Sequence, residues 1–361
     1  YIYFSMKKIF ILLLIVFPLN VKAISASSYI IMDSDNNRVL EGNNISKKSL
    51  IASITKIMTS MVVINNTSDL EKNVVIDDNV LKSYGSGIYV EVGENIKLIE
   101  LLYGLMLRSG NDAAIELAYK VGGSMEGFAK MMNELAKSIG MKNTNFINSS
   151  GLEEGNDGNI STVYDMALLS SYAIKNDTYR KIVGTKNITV KTDKKTYVWH
   201  NKNRLLSEYD YCIGGKTGFT EKARRTLVTN ASKDNINLTV VTFNDGNDFG
   251  DHKDLYEKYF GMLKNYEIVK KGMIKTKIDN TYVNEGFKMS LTKDEYKNVK
   301  TVINYLDGNA SKVVGNVEVS LNGKIYFKTG ILVQEEKNKE EKPHNKLSFF
   351  KRLILWIKSL W

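Results

Sequence analysis

With 361 residues the chain is too long for a peptide hormone or a minimal adaptor and suits two domains, since one core seldom grows past about 250 residues. Hydrophobic, charged and aromatic shares of 43%, 25% and 10% are those of a globular protein and exclude wholesale disorder. The net charge of +10 is compatible with nucleic acid, an anionic membrane, an acidic polymer or solubility alone; the lone Cys212 excludes an internal disulfide, and Cys212 with His200, His252 and His344 is too few ligands for a structural zinc cage.

In chain order, Met6-Lys7-Lys8 and the apolar run Ile9 to Phe17, closed by small residues near Ala23 and Ala26, predict a secretory signal peptide over residues 1–25, with 1–5 as an upstream extension. The run is shorter than the roughly 20 residues of a membrane span. Ser28–Asp33, a polar turn at Asn36-Asn37 and Arg38–Glu41 predict a β-hairpin. Helical spacing then joins Ile54, Ile57, Met58, Met61 and Val62; next Leu98, Leu101, Leu102, Leu105 and Met106; then Phe128, Met131, Met132, Leu135 and Ile139. Strand character returns at Leu227–Thr229 and Asn237–Phe243, before a helix around Leu255–Leu263. Strands, then helices, then strands indicate an α+β domain over 26–265. Residues 268–333 carry short β-rich runs (Met273–Ile278, Lys300–Tyr305, Val317–Leu321) between Asp, Asn and Gly turns and predict a small all-β domain. Residues 334–345, dense in Glu and Lys, predict a linker. In 346–361, Phe349, Phe350, Leu353, Ile354, Ile357, Leu360 and Trp361 recur at helical spacing opposite Lys351, Arg352, Lys358 and Ser359. That pattern predicts an amphipathic helix lying in an anionic membrane surface.

Few histidines and one cysteine leave nucleophilic chemistry to serine or threonine with another base. Ser53-Ile54-Thr55-Lys56 sets a hydroxyl and an amine one helical turn apart, and a helix starting there leaves the Ser53 N–H unpaired for an oxyanion. The pattern alone is weak, because Ser5/Lys8, Ser290/Lys293 and Ser348/Lys351 match it too. Likewise Ser34-Asp35-Asn36 has the form of Ser109-Gly110-Asn111, and Lys328-Thr329-Gly330 repeats Lys216-Thr217-Gly218. Order decides: Ser53–Lys56, Ser109–Asn111 and Lys216–Gly218 occur once, in a stretch long enough to fold around them.

This triple resembles the serine penicillin-recognising enzymes. The wording around it, Leu107 to Ala114, Gly140 to Phe146, Gly151-Leu152, Asn201 to Leu206 and Gly215 to Thr220, is similar to the low-molecular-mass D-alanyl-D-alanine carboxypeptidases, penicillin-binding proteins of the peptidase S11 kind. The resemblance implies a transpeptidase-like antiparallel sheet with a helical region, followed by the β domain and tail helix. It implies that Ser53 attacks the bond between the last two D-alanines of a peptidoglycan stem, with Lys56 as a base kept neutral by burial beside Lys216. Ser109 would relay a proton, and Asn111 would orient Lys56 or hold a substrate amide. Lys216 and Thr217 would bind the terminal carboxylate, Gly218 would admit the peptide backbone, and the Phe219 N–H would be the second oxyanion donor. β-Lactams would acylate Ser53. No metal, organic cofactor or nucleic acid is implied, and oligomeric state stays open. A D,D-endopeptidase on crosslinks and a silent wall-binding protein remain alternatives. Arg224-Arg225 depart from the smaller residues of many relatives, Glu153-Glu154 lack the deacylating pattern of class A β-lactamases, and Cys212 and His200 read as structural.

Overall fold

The computed structural model describes residues 24–155, 157–306 and 312–334. The expected signal peptide up to residue 23, the linker beyond Gln334, the tail helix and the patterns at Ser5 and Ser348 lie outside these residues. The chain divides between Gly261 and Met262 into two compact units.

The first unit is built on one antiparallel sheet. Its strands are β1 (Ser28–Asp33), β2 (Arg38–Asn43), β3 (Cys212–Thr220), β4 (Arg224–Lys233) and β5 (Ile236–Phe243), in the order β2-β1-β5-β4-β3. The β1–β2 turn forms as expected, with Asn37 at φ 50° and Asp33 accepting from the Asp35 N–H at 3.0 Å. Alternation sends Ile30, Met32, Val228 and Val241 to one face. There they meet the buried sides of α1 (Lys56–Asn66), α2 (Asn111–Gly122), α3 (Met125–Ser138) and α4 (Val163–Ala173). α4 is buried nearly all round and lies on the sheet itself. On the other face, α5 (Asp248–Met262) brings His252 and Tyr256 to Thr229, at 2.7 and 2.8 Å. This is helix, sheet, helix, with β3 at one edge of the sheet.

The second unit pairs Lys264–Val269 with Phe287–Leu291 and carries a five-stranded antiparallel sheet. Val283, Met289, Leu291, Val317, Val319 and Ile331 form its core, with Phe287 stacked on Phe327 at 4.8 Å. Of the expected strand Met273–Ile278 only Met273 is in a strand, the two-residue Gly272–Met273, and the Thr276 hydroxyl, accepting from the Ile278 N–H at 3.0 Å, bends the chain beyond it. Two decoy motifs fall here: Ser290 is buried on a strand, and Lys328 faces Glu318 at 3.4 Å.

Candidate active site

Just before α1 the chain turns sharply. Ala52 sits at φ 51°, in the left-handed region that disfavours side chains, and Ala52–Thr55 forms a 3-10 turn rather than the first turn of an α-helix. In a 3-10 turn residues i and i+3 eclipse, which brings Lys56 Nζ to 3.1 Å from Ser53 Oγ. Gly151 clamps the turn from above: a Cβ there would lie 1.9 Å from the Ala52 carbonyl oxygen, and its φ of +83° suits glycine.

Lys56 has no exposed surface. Its Nζ donates to Asn111 Oδ1 at 2.8 Å and to the Ser150 carbonyl at 2.6 Å. Desolvation first, and the nearby Lys216 and Lys202 cations next, hold its pKa well below the lysine range. Asn111, at the start of α2, is fixed in turn by its Nδ2 donating to the Tyr84 carbonyl at 2.6 Å. Two residues earlier a π-helical turn, Gly104–Arg108, ends on Ser109 at φ 65°, a strained position on the wall of the cleft that also holds Ser53.

The third motif lies on β3, opposite β4 in the register Thr217↔Leu227, Gly218↔Thr226 and Phe219↔Arg225. Packing alone already requires glycine at 218. A Cβ there would meet Thr226 Oγ1 at 2.4 Å and the Ser53 nitrogen at 3.0 Å, so the missing side chain lets the strand close against the Ser53 turn. Thr226 completes the seam by donating to the Ile51 carbonyl at 3.0 Å. Lys216 is only 1% exposed and donates to the Thr217 carbonyl at 2.7 Å. Burial, with Lys202 second, lowers its pKa to about 7.

A cleft of about 510 Å³ opens onto these groups. Ser53, Ser109, Thr217, Gly218 and Phe219 line it, while Lys56, Asn111 and Lys216 are buried. All eight residues singled out from the sequence therefore come together. The cleft also holds five that were not: Ser86, Lys202, Arg225, Asp248 and Phe249. Lys202 Nζ donates to Ser86 Oγ at 3.2 Å, and Arg225 Nη1 faces Asp248 Oδ1 at 3.7 Å. Lys202 sits in the family-like run Asn201–Leu206 and Arg225 in the unusual arginine pair, so both carried a signal; the other three carried none. Cys212 is buried with its thiol pushed up by desolvation, and His200 stands at the surface against Asn187, so neither forms a catalytic pair. Among the described residues no cluster of His, Cys, Asp or Glu is arranged to hold a metal ion.

The family model for D-alanyl-D-alanine carboxypeptidases, peptidase S11, matches residues 16–247. A D-alanyl-D-alanine carboxypeptidase of Bacillus subtilis, DacF, is 35% identical over 224 residues, which cover 60% of this chain and 57% of that protein, little more than half its length. A D-alanyl-D-alanine endopeptidase of Haemophilus influenzae is 30% identical over 206 residues, 56% of this chain and 69% of the relative. Among solved structures, penicillin-binding protein 5 of Haemophilus influenzae superposes with a TM-score of 0.73 at 25% identity, covering 86% of this chain and 97% of that one.

Proposed function

Because the chain belongs to the peptidase S11 family of D-alanyl-D-alanine carboxypeptidases, we propose that it is a serine D,D-carboxypeptidase trimming the terminal D-alanine from peptidoglycan stem pentapeptides. The observation that carries this reading is the buried Lys56 amine, 3.1 Å from Ser53 Oγ and bonded besides to Asn111 and Ser150. A neutral amine has two N–H donors and one lone pair. Asn111 Oδ1 and the Ser150 carbonyl accept the two donors, which leaves the lone pair for the Ser53 proton.

Ser53 Oγ adds to the carbonyl of the penultimate D-alanine as Lys56 takes its proton. The N–H groups of Ser53 and Phe219 hold the oxyanion. Collapse breaks the peptide bond, and the proton returns from Lys56 through the Ser109 hydroxyl to the leaving amine, releasing D-alanine. Water then attacks the acyl-enzyme by the reverse proton path. The Thr217 hydroxyl and the cations Lys202 and Arg225 bind the terminal carboxylate, while Lys216 acts from behind the cleft wall by its charge. A β-lactam presents the same terminus and acylates Ser53.

The same machinery suits a D,D-endopeptidase, a reading that the similarity to the Haemophilus endopeptidase favours. Incubation with a pentapeptide ending in D-Ala-D-Ala and, separately, with a crosslinked muropeptide dimer decides between them. Faster release of free D-alanine supports the carboxypeptidase, and faster dimer cleavage refutes it in favour of the endopeptidase. A silent wall-binding protein releases neither product. We further propose export directed by residues 1–25 and peripheral attachment to the outer face of the bacterial cytoplasmic membrane by 346–361. Deleting residues 344–361 then frees the protein from membranes, and a truncated form that still sediments with them contradicts the attachment.

A further inference from the structure

One loop touches the first motif and is tied to neighbours of the other two. The Ser150 carbonyl accepts from Lys56, Gly151 closes on Ala52, and Tyr84, whose own carbonyl holds Asn111, donates from its hydroxyl to the Glu153 carbonyl at 3.1 Å. The fourth tie goes just past the third motif: the Thr220 hydroxyl donates to Glu153 Oε1 at 2.5 Å and accepts from the Ala223 N–H at 3.0 Å. The loop is firmly seated, since Asn148 accepts from the Gly151 N–H and donates to the Leu152 carbonyl, both at 2.8 Å.

Phe219 and Thr220 end β3 at the sheet edge, where one side has no partner strand among the described residues. The Phe219 ring is 59% exposed and does little to locate its own backbone. β4 fixes this segment from one side; toward the loop, Lys222 Nζ beyond the strand end donates to the Gly155 carbonyl, and the Thr220–Glu153 bond is the side-chain tie made by a residue of β3 itself, next to Phe219.

We propose that Glu153 is a positioning residue whose carboxylate, by accepting the Thr220 hydroxyl, holds the Phe219 N–H where the oxyanion develops. The inference rests on the reading of Ser53 as nucleophile and the Phe219 N–H as oxyanion donor. A carboxylate opposes a nearby developing anion, so its benefit is geometric: the acceptor matters and the charge does not. Misplacing a catalytic group by about 1 Å costs on the order of 100-fold in rate.

The test uses the full chain with Glu153→Ala, Glu153→Gln, Thr220→Val and the Ala/Val double variant, measuring β-lactam acylation and steady-state D-alanine release. Glu153→Ala is expected to lower kcat and acylation about 10- to 100-fold with KM within about threefold, because the donor acts only in the transition state. Gln, which keeps the acceptor, restores the rate to within about threefold, and the double variant is no slower than either single one. Thr220→Val preserves shape and carries the test if Glu153→Ala misfolds. Glu153→Ala within about twofold of a wild type that acylates normally overturns the inference alone. So does a Gln variant as slow as Ala. A wild type that never acylates overturns the underlying reading, and the inference with it.

Discussion

Replacing Lys216 by methionine should make the protein more stable at neutral pH while impairing catalysis. Lys216 is 1% exposed, and burial with the Lys202 charge takes its pKa from 10.5 to about 7. At about 1.4 kcal/mol per unit, that displacement corresponds to a folding penalty on the order of 5 kcal/mol. The unfolded chain keeps the proton up to the ordinary lysine pKa, whereas the folded chain loses it near pH 7. Stability therefore rises with pH between about 7 and 10.5, and the penalty is fully present below that window. Methionine keeps the length and removes the charge, but forfeits the bond to the Thr217 carbonyl, about 1 kcal/mol. A gain of a few kcal/mol should remain at about pH 7 and vanish near pH 10. Lys56, lowered in the same direction, retains part of the slope in the variant. Urea unfolding at both ends of the window measures this. A wild type with flat stability across it, or a variant with the full wild-type slope, would refute the reasoning.

Three further outcomes follow from the same geometry. His252, buried between Thr229 and Thr242, has its pKa lowered to about 3, so stability is intact above about pH 6.5 and falls with acid toward pH 3. His252→Gln should flatten that acid limb in thermal melts, and an unchanged limb would count against it. Gly218→Ala forces a Cβ against Thr226 Oγ1 and the Ser53 nitrogen and should slow acylation at least about 100-fold with the circular dichroism spectrum retained; acylation near wild type would contradict the packing argument. Arg225→Ala should raise KM about tenfold for a peptide with a free terminal carboxylate and leave an amidated peptide unaffected, whereas equal losses on both would remove the carboxylate role.

The legible parts of the fold were those where one periodicity serves one buried face. Ile54 to Val62 and Phe128 to Met132 gave their helices away, and Asn36-Asn37 its hairpin. The three motifs were legible through their order, because the fold must bring a turn, a helix start and an edge strand to one point. Local backbone detail was hidden: nothing in Ala52-Ser53-Ile54-Thr55 distinguishes a 3-10 turn from an α-helical one, and the left-handed Ala52 has its carbonyl in space that any side chain at Gly151 would fill. The packing that requires glycine at 218, contact with Thr226 and the Ser53 turn, depends on strand register and leaves no mark in the sequence. Asp248 and Phe249 reach the cleft from the start of α5, far along the chain, and short helix-start residues carry no mark of what they face. Glu153 looked like a stray carboxylate until its bond to Thr220 gave it a place.

The central claim is that Ser53 is a nucleophile activated by Lys56, and the intact mass of the protein after incubation with a β-lactam tests it most directly. The wild type should gain one adduct mapping to Ser53, Ser53→Ala none, and Lys56→Met, folded by circular dichroism, should acylate slower by at least about 100-fold. An adduct that persists in Ser53→Ala, or a folded wild type that takes up none, would contradict the account.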